Sequence, residues 1–360
     1  MKQAGWDRFA GCLLGGAVGD ALGAPIEFYN IAQIRRQYGP DGLDHYIEGT
    51  GDSGIFTDDT QMTLFTAEGI LRAHNRASLR GISGAQNAIL YQSYLRWLYT
   101  QGIKPQSIPQ GMGIYDVENG WMMKQHGLFK LRAPGNTCLG ALASGKYGTP
   151  NEPINNSKGC GGIMRAAPVG LFYNHDARLA FEYGCESAAL THGHPSGYLS
   201  AGFLACVIAC LLSGEELPSA IDASIHILCT WKNHQECLRA VEQAQQMYAQ
   251  KTGPSPENIE TLGGGWVGEE TLAISLFCAL HFEHDFRGGV LAAINHSGDC
   301  DSTGAVTGNI LGAMLGRQAI DQEWLNKLEM ADVVEEMAGD LFLRIDHQDE
   351  DGWSKKYPPY

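Results

Sequence analysis

The sequence predicts an all-α protein, on three observations. Apolar residues recur at helical spacing in eight segments, alternating strand-like patterns are scarce, and glycines recur every fourth residue in two runs near opposite ends. The helical segments are, in order, 65–73, 89–99, 177–190, 198–212, 221–231, 235–249, 271–282 and 304–315. Stretches 39–57, 100–120, 132–162 and 251–266 read as long polar loops, which in a folded protein are more often functional than idle.

The glycine runs are Gly11, Gly15, Gly19 and Gly23, then Gly304, Gly308, Gly312 and Gly316. Residues four apart share a helix face, so each run presents a bare stripe. Glycine costs about 1 kcal/mol against alanine in a helix, a penalty that close backbone approach would offset. The two helices are therefore expected at the centre of the fold, packed on each other, with the chain ends joined.

Composition bounds the rest. The 360 residues are 44% hydrophobic and 18% charged, enough for a substantial core, and no composition break marks a boundary, so 1–360 is read as a single domain. The 46 glycines are nearly double the usual ~7%. A net charge of −15 argues against a nucleic-acid surface or an anionic-membrane surface. The ten cysteines include no Cys-x-x-Cys pair, so reduced thiols and a cytoplasmic setting are expected. Asp7 and Arg8 interrupt any early apolar run, which speaks against a signal peptide, and the run from Tyr198 to Leu212 reads as a buried helix rather than a membrane span. A monomer is the default expectation.

Two acidic clusters carry the chemistry, Thr57-Asp58-Asp59 and Asp299-Cys300-Asp301-Ser302. Each stands where a helix begins, so capping is the plain alternative. A cap needs one side chain, whereas paired carboxylates repel unless a cation intervenes. Hard oxygen donors of this kind suit Mg²⁺ or Mn²⁺ better than zinc. The loop Asn155-Asn156-Ser157-Lys158-Gly159-Cys160-Gly161-Gly162-Ile163-Met164-Arg165 offers successive backbone N–H groups to phosphate oxygens, or is an ordinary tight turn. His192 either contacts substrate or stabilises a turn. Trp266, following Gly263-Gly264-Gly265, either stacks on a base or sugar or simply precedes a helix whose first turn holds Glu269 and Glu270. Glu27 reads as a general base or a helix-end acid, and Cys160 and Cys300 as small fillers.

Six blocks taken together resemble the ADP-ribosylglycohydrolase family: Gly-Asp-Ala-Leu-Gly-Ala-Pro-Ile-Glu-Phe (19–28), Thr-Asp-Asp-Thr-Gln-Met (57–62), Gly-Gly-Ile-Met-Arg-Ala-Ala-Pro-Val-Gly (161–170), Thr-His-Gly-His-Pro (191–195), Gly-Trp-Val-Gly-Glu-Glu (265–270) and Asp-Cys-Asp-Ser-Thr-Gly (299–304). They stand in the family's order within about residues 10–316. The resemblance implies a compact orthogonal helical bundle with two Mg²⁺ or Mn²⁺ ions held by Thr57, Asp58, Asp59, Asp299, Asp301 and Ser302. It implies that Asn156, Ser157, Lys158, Gly159, Cys160, Gly161, Gly162, Met164 and His192 contact ADP-ribose. Trp266 and Glu269 would lie nearer the leaving group. Glu27, Asp58, Asp59 and Asp299 become the candidate catalytic carboxylates. Cys160 stands where some relatives carry asparagine. The implied reaction is hydrolysis of the glycosidic bond between ADP-ribose and a protein side chain, leaning to arginine, with an ADP-ribosylated protein as partner and ADP-ribose as product. The rival readings are a dinuclear phosphoesterase or pyrophosphatase, and a non-catalytic ADP-ribose-binding module.

Overall fold

In the computed structural model, which describes residues 2–47, 54–104 and 117–359, the chain is all-α. Its first half holds α1 (Lys2–Gly23), α2 (Ile31–Tyr38), α3 (Asp58–Arg80), α4 (Gln86–Thr100), α5 (Asn136–Ala143), α6 (Ala167–Phe172), α7 (Ala177–Ala189) and α8 (Pro195–Ser213). There follow α9 (Leu217–Leu228), α10 (Gln235–Ala249), α11 (Pro256–Ile259), α12 (Gly268–His281), α13 (Phe286–Ile294), α14 (Cys300–Leu315), α15 (Gln322–Lys327), α16 (Ala331–Leu343) and α17 (Glu350–Lys356). Among the described residues the extended pairing is limited to two isolated bridges, Gly54 with Leu328 and Gly159 with Val267.

All eight segments read from apolar spacing fall in helices, though α9 stops at Leu228, short of Trp231. Several helices lay outside that reading for physical reasons. The capping box between Asn30 and Gln33 starts α2, which buries only Ile34 and is too short to show a period. Helix α5 interrupts the expected 132–162 loop and buries Cys138, Ala141 and Leu142. Helix α11 interrupts the expected 251–266 loop with a single turn capped by Ser255. Parts of the 39–57 and 100–120 loops lie outside the described residues. Helix α16 does carry a legible spacing, burying Val333, Val334, Met337 and Leu341.

The centre of the fold is the pair α1 and α14. A Cβ placed on Gly15 would overlap the Gly308 carbonyl, one on Gly19 the Gly304 carbonyl, and one on Gly11 would sit 2.5 Å from Gly312 O. The reciprocal substitutions at Gly304, Gly308 and Gly312 meet Gly19, Gly15 and Gly11. The matching runs in opposite senses, so the helices are antiparallel and the start of α14 abuts the end of α1. The last glycine of the second run, Gly316, is the cap beyond α14, at φ 82°. Around this pair pack α16 on α1, α13 and α12 on α14, and the α7–α8 hairpin beyond α12. The segments 5–26 and 195–213 are long and apolar enough to cross a membrane, but 89% of an 18-residue apolar stretch in each is buried inside the fold, as expected of core helices.

A second polar tie fastens α3 to α4. Glu68, fully buried, accepts from Arg72 Nη2 at 2.8 Å, Arg96 Nε at 3.0 Å and Ser93 Oγ at 2.7 Å. All ten cysteines are free thiols, and Cys206 and Cys210 are buried in α8.

Candidate active site

The antiparallel crossing of α1 and α14 sets the geometry of the site. Because Gly23 packs against Cys300 and Asp301, the end of α1 delivers Glu27 next to the first turn of α14. Helix α3 brings its own first turn to the same place through Asp20. This buried carboxylate accepts from Thr57 N at 2.9 Å, Thr60 N at 3.0 Å and Thr60 Oγ1 at 2.5 Å. Thr57 caps α3, its Oγ1 accepting from Asp59 N at 3.3 Å, and Asp299 caps α14, accepting from Ser302 N at 3.3 Å. The two helix starts are joined directly, since Ser302 Oγ donates to Asp59 Oδ2 at 2.8 Å. Both positive helix ends thus face one acidic cavity.

That cavity has a volume of about 220 Å³. It is lined by Glu27, Asp58, Asp59, Asp299, Asp301 and Ser302, by Gly159, Cys160, Gly161, Met164, His192 and Trp266, and by Gly135, Asn136 and Thr137 at the start of α5. No lysine or arginine is among its lining residues. Oxygens of Glu27, Asp299 and Asp301 come within 4.8 Å of one another. Burial, and next the charge of Asp301, hold Asp58, Asp59 and Asp299 well above the usual carboxylate range. The same two causes push Asp20 up to about 7 and Glu27 up to about 9, with Asp58 and Asp20 also acting on Glu27.

The donor set fits a hard divalent cation. Carboxylates crowd together with no neutralising base on the wall, and oxygen dominates. The softer donors are otherwise engaged. Cys160 Sγ donates to Asp299 Oδ2 at 2.9 Å, and burial raises that thiol well above its ordinary value. His192 Nδ1 pairs with Thr191 Oγ1 at 2.9 Å, and burial lowers its ring to about 3, so it is neutral.

The glycine loop is not a free turn. Gly268 N donates to Lys158 O at 2.8 Å and Cys160 N to Trp266 O at 3.2 Å, so it runs antiparallel to the segment carrying Trp266. Lys158 Nζ clamps this pairing, bonding Glu236 at 2.8 Å and also buried Glu269. The glycines before Trp266 are likewise held: Gly264 N donates to Glu270 Oε2 at 3.0 Å, and Gly264 O accepts from Asp299 N at 2.8 Å. Of the expected ligand residues, Asn156, Ser157, Lys158, Gly162 and Glu269 do not line the cavity. Lys158 and Glu269 brace the loop, Gly162 is buried against Gly197 and Ala188, and Ser157 Oγ bonds Thr137 Oγ1 at 3.1 Å. Thr57, expected as a ligand, also lies off the wall, with its hydroxyl at the α3 cap.

Three features escaped the sequence reading. Asp20 is one, although a carboxylate in the apolar face of α1 was itself an anomaly. The start of α5 is another. The third is Phe28, 73% exposed and stacked on Trp266 with centroids 5.7 Å apart.

The comparisons agree with this geometry. A family model described as ADP-ribosylglycohydrolase matches residues 1–351. The chain is 27% identical to ADP-ribosyl-[dinitrogen reductase] glycohydrolase of Rhodospirillum rubrum, over 90% of this chain and 91% of the relative. It is 24% identical to ADP-ribosylarginine hydrolase Tri1 of Pseudomonas putida, over 96% and 80% respectively. A solved structure titled ADP-ribosylglycohydrolase-related protein complex superposes with a TM-score of 0.66 at 26% identity, covering 95% of this chain and 99% of that one. The chain therefore belongs to the ADP-ribosylglycohydrolase family, whose reaction is the hydrolysis of ADP-ribose linkages.

Proposed function

We propose that the protein removes ADP-ribose from arginine side chains of modified proteins, using a pair of Mg²⁺ or Mn²⁺ ions. The observation that carries the linkage is the sign of the cavity: five carboxylates, no lysine or arginine on the wall, and an exposed indole among the lining residues. A guanidinium leaving group is cationic and planar, so it suits both the carboxylates and the face of Trp266. A serine hydroxyl would gain little from either. Similarity to an ADP-ribosylarginine hydrolase supports the same reading.

Asp58, Asp59, Asp299, Asp301 and Ser302 would hold the ions, with Thr57 fixing the turn that presents Asp58 and Asp59. Bound there, they would supply a water of lowered pKa and positive charge toward the ribose. The chain's own groups do the rest. The backbone N–H of Gly161, with the start of α5 beside it, receives the diphosphate, while the Cys160 N–H holds the loop to Trp266. His192, neutral, backs the same loop. Glu27 is the carboxylate of the set with partial exposure, so it carries the proton between solvent and the reacting centre. The buried aspartates stabilise positive character at the attacked ribose carbon.

The test is release of ADP-ribose from an arginine-ADP-ribosylated protein with Mg²⁺, Mn²⁺ or EDTA, for the wild type and Asp301→Ala. Metal-dependent release of intact ADP-ribose, falling on the order of 10³-fold in the variant, is expected. Release from serine-linked or O-acetyl substrates but not from arginine would overturn the linkage. Formation of AMP and ribose phosphate would overturn the glycosidic reaction.

A further inference from the structure

A cavity larger than the acidic one lies apart from it. It measures about 510 Å³ and lies between the second half of α3, the α3–α4 turn, the end of α6 with the residues following it, α7, and the residue after α16. Its character is opposite to that of the acidic cavity. The wall carries no carboxylate, and its charged or chargeable bases are His74, His175 and Arg344. The acids behind the wall, Glu182 and Glu186, act on Tyr183 but do not line it. Aromatic rings form the flat surfaces. Tyr173 and Tyr183 stack at 4.5 Å and 14°, and the ring of His74 stands edge-on to Phe172 at 5.2 Å.

Arg344 is the residue the fold does not otherwise explain. Its guanidinium lies 5.1 Å above the Phe172 ring and donates from Nη2 to the neutral Asn174 Oδ1 at 2.8 Å. It forms no ion pair among the described residues, and burial lowers its pKa with no carboxylate to restore it. Its backbone is at φ 67°, a region that favours glycine. Glycine would close α16 there without strain. An arginine kept in such a conformation, half-buried and without a counter-charge, points to a ligand that supplies one.

We propose that this cavity is a second binding site, separate from the acidic one, for a small organic anion with a planar ring. The ring lies against the Tyr173 and Phe172 surfaces, and its carboxylate or phosphate meets Arg344 with His74 beside it. The volume is within the range of small-molecule sites and would accept a nucleoside monophosphate.

The experiment is calorimetric titration of the full chain with AMP and, separately, with indole-3-carboxylate, which distinguishes the phosphate source from the carboxylate source. Inorganic phosphate serves as the ring-free control. Three variants are compared: Arg344→Gly, which removes the charge at a backbone angle glycine accepts; Ala77→Phe, which fills the cavity; and Asp301→Asn in the acidic site. Saturable binding of at least one ringed anion is expected. It should weaken at least about tenfold in Arg344→Gly, disappear in Ala77→Phe and persist in Asp301→Asn. Release of ADP-ribose should be unchanged in the first two variants. Absence of saturable binding by both ringed anions, binding unaffected by Arg344→Gly and Ala77→Phe, or equal binding of inorganic phosphate would each overturn the proposal.

Discussion

Glu27 lines the acidic cavity and Asp20 is buried beneath the start of α3, and the metal-free protein bears the cost of both. Burial and the charge of Asp301 raise them to about 7 and about 9 from ordinary values of 3.8 and 4.5. Between roughly pH 7 and pH 9, above the range in which the buried His192 and His296 differ from the unfolded chain, these carboxylates hold more protons folded than unfolded, so stability falls as pH rises and is lowest above about 9. In EDTA the melting temperature should decline steadily across that window. Glu27→Gln should flatten the upper part of the decline, leaving the remainder to Asp20 and the buried aspartates. A flat EDTA profile would contradict the crowding of these carboxylates. Glu27 was legible in the sequence as an acid after the first helix. Asp20 was not singled out, because its partners Thr57 and Thr60 lie 37 and 40 residues away and only the fold brings them near.

Among the elements, two contacts decide how α1, α3, α4 and α14 are held. Gly308→Ala would drive a methyl group into the Gly15 carbonyl, and backbone cannot yield as a side-chain tip can. A loss of about 1–3 kcal/mol or more is expected from denaturant unfolding. Gly140→Ala is the control. It lies within α5 with no neighbour within 4 Å, so it should gain up to about 1 kcal/mol. Equal effects at the two sites would refute the interlocked stripe. Glu68→Ala would strand Arg72 and Arg96 in the interior and should cost about 3–5 kcal/mol in the same assay. The stripe was legible because spacing four is a helical signature that needs no partner to be seen. The Glu68 network was not, since Arg72 alone is a sequence neighbour and the other contacts cross to α4.

For the whole molecule, the acidic cavity joins residues from both ends of the chain: Asp58 and Asp59 from α3, Asp299 and Asp301 at the start of α14. A cation bound between them would tie those ends together and stabilise the folded state by mass action. At a hundred times the dissociation constant the gain should be about 2.7 kcal/mol. Thermal unfolding should show a saturable rise with Mg²⁺ or Mn²⁺ that EDTA reverses and Asp301→Ala abolishes. A rise that survives in the variant would place the ion elsewhere.

The sequence by itself determined the helical class, the eight main helices, the packing of the two glycine runs and the family. These are local or periodic signals, or motifs whose order along the chain is their meaning. Tertiary structure alone decided the rest. It separated Gly159, Cys160 and Gly161, which face the cavity, from Lys158 and Glu269, which brace the loop from behind. It brought the start of α5 to the wall and stacked Phe28 on Trp266. It also opened the aromatic cavity under Arg344, whose walls come from segments more than 250 residues apart. Which side of a loop faces a ligand depends on what packs against its other side, and that information is held by distant parts of the chain.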